Sequence, residues 1–137
     1  MTPHQIALIQ ESFGRVAPVA DRAAQMFYQR LFEIAPQVRP LFKGEIDAQG
    51  RKFMATLTVT LSGLENFDRL KPGLEALARQ HLRFGVRPEH FAPLGEALIW
   101  TLAESLGEDF SPETREAWEA AYGEMAKVMA AVVLDEA

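Results

Sequence analysis

Leu70-Lys71-Pro72-Gly73-Leu74-Glu75-Ala76-Leu77-Ala78-Arg79-Gln80-His81-Leu82-Arg83-Phe84 decides the reading of this chain. At about 100° per residue, Leu70, Leu74, Leu77, His81 and Phe84 fall within roughly 80° of arc, with His81 near the centre. The spacing predicts a short helix over 72–84, with one imidazole set in its apolar stripe. An imidazole on a buried face must be satisfied by a hydrogen bond or by a metal. Taken alone, His81 reads first as a hydrogen-bonded core histidine, and the neighbouring segments decide whether that reading stands.

The same helical period runs through nearly the whole chain. Prolines stand where helices begin: Thr2-Pro3 with Gln5 three residues after the threonine, then Pro18, Pro36, Pro72, Pro88 and Ser111-Pro112. Gly44, Gly63, Gly85 and Gly107 fall where segments end. Alternation of period two is confined to Thr56–Thr60, which also fits a helix through Met54, Leu57, Leu61 and Leu64. The expected class is therefore all-α, in one domain over 1–137. Helices are predicted at 3–17, 19–35, 36–41 (a short turn), 47–63, 72–84, 88–106 and 112–134.

Composition narrows the function. The 137 residues are 48% hydrophobic and 24% charged, enough for a packed core and unlike a disordered chain. A net charge of −5 with no basic run argues against nucleic-acid binding. The absence of cysteine excludes disulfides and thiolate chemistry. No apolar stretch approaches the ~20 residues of a membrane span. Met1-Thr2-Pro3-His4-Gln5 shows no basic stretch leading into an apolar one, so the cytoplasm is the expected location.

Three more positions bear on His81. Tyr28 has Ala24, Leu31 and Phe32 as its helical neighbours, which puts a phenol on or beside an inward face. Gln49 opens its helix four residues before Phe53, with Thr56 and Thr60 continuing the stripe. Phe42 follows Pro40-Leu41 at the mouth of a polar loop.

With these residues in order, the chain resembles a bacterial single-domain globin, similar to the globin half of flavohaemoglobins. The resemblance rests on Phe27-Tyr28-Gln29-Arg30-Leu31-Phe32 before Pro36, Val38-Arg39-Pro40-Leu41-Phe42, Gln49 with Phe53, and His81 thirty-two residues after Gln49. It continues through Val86-Arg87-Pro88-Glu89-His90-Phe91 and Ala117-Trp118-Glu119-Ala120-Ala121-Tyr122-Gly123, spanning 3–134. It implies a three-over-three helical sandwich around one non-covalent haem b (iron protoporphyrin IX). His81 would ligate the iron through Nε2. Tyr28 and Gln49 would face the opposite, ligand-binding side, with Phe53 over the ligand site and Phe42 wedged against the porphyrin. Lys52 would pair with a propionate, and Leu77 and Val86 would complete the cofactor's surroundings.

Elementary chemistry is consistent with those roles. A ligating imidazole needs its other N–H held, and the Leu77 carbonyl, one turn earlier, is available. A phenol O–H and an amide N–H aimed at a bound diatomic would slow its loss, each contributing on the order of 1–3 kcal/mol in a low-dielectric pocket. His4 and His90 read as surface histidines, while Trp118, Tyr122 and the late methionines read as core.

The implied function is reversible O2 binding for storage, delivery or scavenging, with NO and CO as further ligands. The alternative is nitric-oxide dioxygenation to nitrate, which needs an electron donor each turnover. The chain carries no glycine-rich dinucleotide fingerprint, so that donor would be a separate reductase. A departure from the family pattern favours the carrier. Flavohaemoglobins have a tyrosine ten residues after the ligating histidine and a late-helix glutamate; here position 91 is Phe, and Met125–Leu134 holds no carboxylate.

Overall fold

The computed structural model describes residues 1–136, and six α-helices joined by short 3-10 turns account for almost all of them, with no strand among them. They are α1 (Pro3–Val16), α2 (Ala20–Ile34), α3 (Ile46–Ser62), α4 (Phe67–Arg83), α5 (Phe91–Leu106) and α6 (Pro112–Glu136). Local chemistry explains the first start. The Thr2 hydroxyl accepts from the Gln5 N–H at 3.1 Å while Gln5 Oε1 accepts from the Thr2 N–H at 3.0 Å, which satisfies two donors that a helix start leaves free.

Two predicted boundaries are corrected. The helix placed at 72–84 begins at Phe67, so Pro72 lies inside α4. Proline there removes one backbone hydrogen bond, to the carbonyl of the solvent-facing Asp68, where water can take its place. The added turn places Phe67 and Leu70 against buried clusters on both sides. The helix predicted over 88–106 instead begins as a 3-10 turn at Pro88–His90, with α5 following. The Arg87 N–H donates to His90 Nδ1 at 2.9 Å and tightens that turn. His4 is exposed as expected, whereas His90 is half-buried.

The interior is divided in two. One core gathers α1, α2, α3, α5 and the first half of α6 around Trp118, which is fully buried. Its indole N–H donates to Ser12 Oγ at 2.8 Å, so the buried donor is satisfied. The other core sets Leu74 and Ala78 of α4, with Val86 and Phe91, against Met125, Met129, Val132 and Val133 of α6. Helix α6 serves both, one half to each. Helices α2 and α3 pack together, and so do α4 and α6, whereas α3 and α4 hardly touch.

Tyr122 pins α6 to the start of α5. Its hydroxyl donates to the Phe91 carbonyl at 2.5 Å, and its ring lies flat over Gly95, where an added Cβ would stand 2.6 Å from Cε2. The ring is held at both ends and cannot swing away. Gly95→Ala should therefore destabilise the protein by about 1–3 kcal/mol from overpacking, despite alanine's better helix propensity. A lowered urea midpoint at unchanged slope checks this, and an unchanged midpoint contradicts it.

Candidate functional site

Helices α3 and α4 fail to meet because a cleft of about 490 Å³ separates them. Thr56, Val59 and Thr60 line it from α3; Leu70, Leu74, Leu77 and Gln80 line it from α4. Val59 is 70% exposed, an aliphatic side chain without protein cover on a helix that otherwise buries such residues. A cavity of this size with mostly apolar walls suits a flat organic group.

His81 follows the α4 wall of the cleft along the chain, one residue past Gln80 and one turn past Leu77. Its ring Nδ1 lies 2.8 Å from the Leu77 carbonyl. A carbonyl can only accept, so Nδ1 carries the proton, and in the neutral ring Nε2 keeps a free lone pair. The backbone is fastened too, because the His81 carbonyl accepts from the Val86 N–H at 3.0 Å. That bond needs a sharp reversal after α4, made by Gly85 at φ +93. Val86 is buried and Leu77 half-buried, on the α6 side of α4 and along its stripe respectively.

Tyr28 is only 3% exposed and sits in an aromatic cluster, none of whose members lines that cleft. Phe53 stacks on Phe27 with ring centres 4.6 Å apart. Phe42 meets Tyr28 edge-on at 5.3 Å and Phe32 at 5.5 Å. The Arg39 guanidinium lies over Phe32 and its Nη1 donates to the Phe42 carbonyl at 3.1 Å, which fixes the loop bearing Phe42. The structure thus brings Tyr28, Phe42 and Phe53 together, with the Gln49 side chain beside the Tyr28 hydroxyl. Gln49 and Lys52 are otherwise exposed. No hydrogen bond or ring contact joins this group to His81.

The meeting of Gln49 and Tyr28 depends on two residues without functional groups. A Cβ on Gly50 would stand 2.9 Å from the Cβ of Ala24, so the two helices cross almost backbone to backbone at that point. Neither Gly50 nor Arg39 stood out in the sequence. The signal for Arg39 was its place three residues before Phe42; for Gly50 there was none, since its partner is distant in the chain.

Burial pushes the Tyr28 phenol from its ordinary 10.0 up to about 12, with the Gln49 side chain pulling the other way. The folded state holds this proton more tightly, so its contribution is intact below pH 10 and is lost as pH rises through 12. The loss amounts to about 2–3 kcal/mol. Tyr28→Phe should flatten this part of the alkaline limb in denaturation measured across that range. An equally steep limb would show that the phenol is not held neutral by the fold.

Comparison with known proteins gives these features a family. A globin family model matches residues 25–129. The chain is 30% identical over 132 residues, 94% of its length, to the flavohemoprotein of Bordetella parapertussis. It is 28% identical over 131 residues, 93% of its length, to that of Vibrio cholerae. It spans about a third of the length of these curated relatives. Among solved structures, a bacterial globin from Campylobacter jejuni superposes with a TM-score of 0.85 at 24% identity, covering 98% of this chain and 97% of that one. An all-α globin fold, a divided core and a family match over most of its length agree, and this chain belongs to the globin family, which implies a haem cofactor and gas ligands such as O2.

Proposed function

We propose that the 137 residues act as one cytoplasmic unit that holds haem b in the α3–α4 cleft through His81 Nε2 and binds O2 reversibly. The observation that carries this reading is the split core, with a proton-bearing His81 Nδ1 fastened to the carbonyl of Leu77, itself a residue of the cleft wall. Haem bound there would supply a ferrous centre for O2, NO or CO.

The remaining work falls to side chains. Tyr28 and Gln49 supply an O–H and an N–H donor on the far side of the cleft from α4. Phe53 and Phe42 keep that space apolar, which strengthens both donors. Leu77 orients the ligating ring, Val86 backs it, and Lys52 is free to meet a propionate.

A second reading, conversion of nitric oxide to nitrate, is favoured by the flavohemoprotein relatives. It needs an electron from a reductase each turnover. Position 91 is Phe, and the carbonyl of that residue is engaged by Tyr122 instead. No carboxylate lies between Met125 and Leu134 to polarise His81, so reversible binding is the better supported function.

Stopped-flow mixing of the O2-loaded protein with NO, with nitrate assayed, decides between them. A single rapid conversion without sustained turnover, even with a generic reductase, supports the carrier. Sustained turnover at that reductase's rate overturns it in favour of the enzyme.

A further inference from the structure

Charge is distributed unevenly over this acidic chain. From Arg39 to Arg87 it carries nine basic and five acidic residues, a net of +4; the remainder carries five and fourteen, a net of −9. The positive stretch holds both helices that frame the cleft. Its cations concentrate further at one end. Gly85 approaches Leu41, with an ideal Cβ 3.1 Å from Leu41 Cδ2, so the loop after α4 abuts the turn that leads to Lys43.

Lys43, Arg83 and Arg87 each lie two residues from that approach. All three are exposed, and none takes part in an ion pair among the described residues. The nearest carboxylates along the chain, Glu45 and Glu89, are exposed and form no ion pair with any of the three. Among them stands Phe84, 65% exposed, an aromatic ring that the fold leaves in water. A large exposed apolar side chain flanked along the chain by unpaired cations matches the composition of a docking centre more closely than that of a bare solvated face.

We propose that this patch is the landing site for an acidic electron-carrier protein with an iron–sulfur or flavin centre. The proposal rests on the haem reading above and names the partner that would keep the site reduced. Phe84 lies three residues from His81, about 5 Å along the helix axis, so a carrier seated here is next to the cleft. One electron leaves the carrier's reduced centre, which becomes oxidised, and converts ferric haem to ferrous; no proton or atom is transferred. Opposite charge would speed encounter, and a small contact would allow quick release. An anionic membrane is the weaker match, because the rest of the molecule carries −9 and Phe84 stands alone as an apolar anchor.

The test uses the haem-loaded protein and a fluorescein-labelled acidic [2Fe–2S] ferredoxin, with docking read by anisotropy. Binding should appear at low salt and vanish at high salt. The double variant Arg83→Glu/Arg87→Glu should weaken it at least about tenfold and Phe84→Ser about threefold or more, while Lys127→Glu on α6 should leave it unchanged. Reduction of the ferric protein by photoreduced ferredoxin should follow the same order, and reduction by a small neutral reductant should be equal in all variants. Anisotropy and rate both indifferent to the double variant overturn the proposal. Tighter, Arg83- and Arg87-dependent binding to phosphatidylglycerol vesicles than to ferredoxin overturns it too, assigning the patch to a membrane. A chain that takes up no haem would show no Soret band and would sink the haem reading, while anisotropy would still report on docking.

Discussion

His81→Ala protein should elute colourless, or lose its haem on dilution, while its far-ultraviolet circular dichroism stays that of the folded chain. The ring is half-buried and belongs to neither core, so its removal leaves the packing of Leu74 and Ala78 on α6 intact. What would go is the proposed metal bond, together with the Leu77 carbonyl's partner. Haem affinity should fall by several orders of magnitude, since apolar contact with the cleft walls is then all that holds the group. Added imidazole should restore the Soret band, because the vacated space and the Leu77 acceptor fit it. Normal haem content and an unchanged spectrum in the variant would place the ligand elsewhere.

The second expectation concerns Tyr28. Tyr28→Phe removes one hydroxyl and keeps the ring, so the contacts with Phe42 and Phe53 survive. Haem content should be normal. The O2 off-rate should rise about 10- to 100-fold, the equivalent of roughly 1.4–2.8 kcal/mol for a hydrogen bond made in a water-poor pocket. Gln49→Leu should act in the same direction, and the double variant should fall short of additivity because the two side chains are adjacent. Stopped-flow displacement of O2 by CO measures this directly. An off-rate unchanged in Tyr28→Phe would remove the phenol from the ligand side.

Much of this was legible along the chain, and the illegible part has a common cause. Helical stripes are local, so the Leu70–His81 face, the Tyr28 face and the Thr2–Gln5 cap could be read from spacing alone, whereas Phe84, placed on the same stripe, lies past the end of α4 and is exposed. The bond between His81 Nδ1 and Leu77 is local as well, spanning one turn. Pro72 misled because proline is read as a start signal, whereas tertiary burial of Phe67 and Leu70 outweighs one lost backbone bond. Period does not reveal which faces meet. That Ala24 touches Gly50, that Gly95 seats Tyr122, and that α6 divides its length between two cores are facts of pairs far apart in sequence. For the same reason the roles proposed for Tyr28, Gln49 and Phe42 come from the ordered family pattern and not from their own spacing.

The Ala24–Gly50 crossing works as a ruler. The two smallest residues near the site set how closely the helices of the polar pair approach, so under the proposed function the grip on a gas would be graduated in methyl groups. Selection for altered ligand kinetics should accordingly return hits at positions 24 and 50 before it returns changes among the donors themselves.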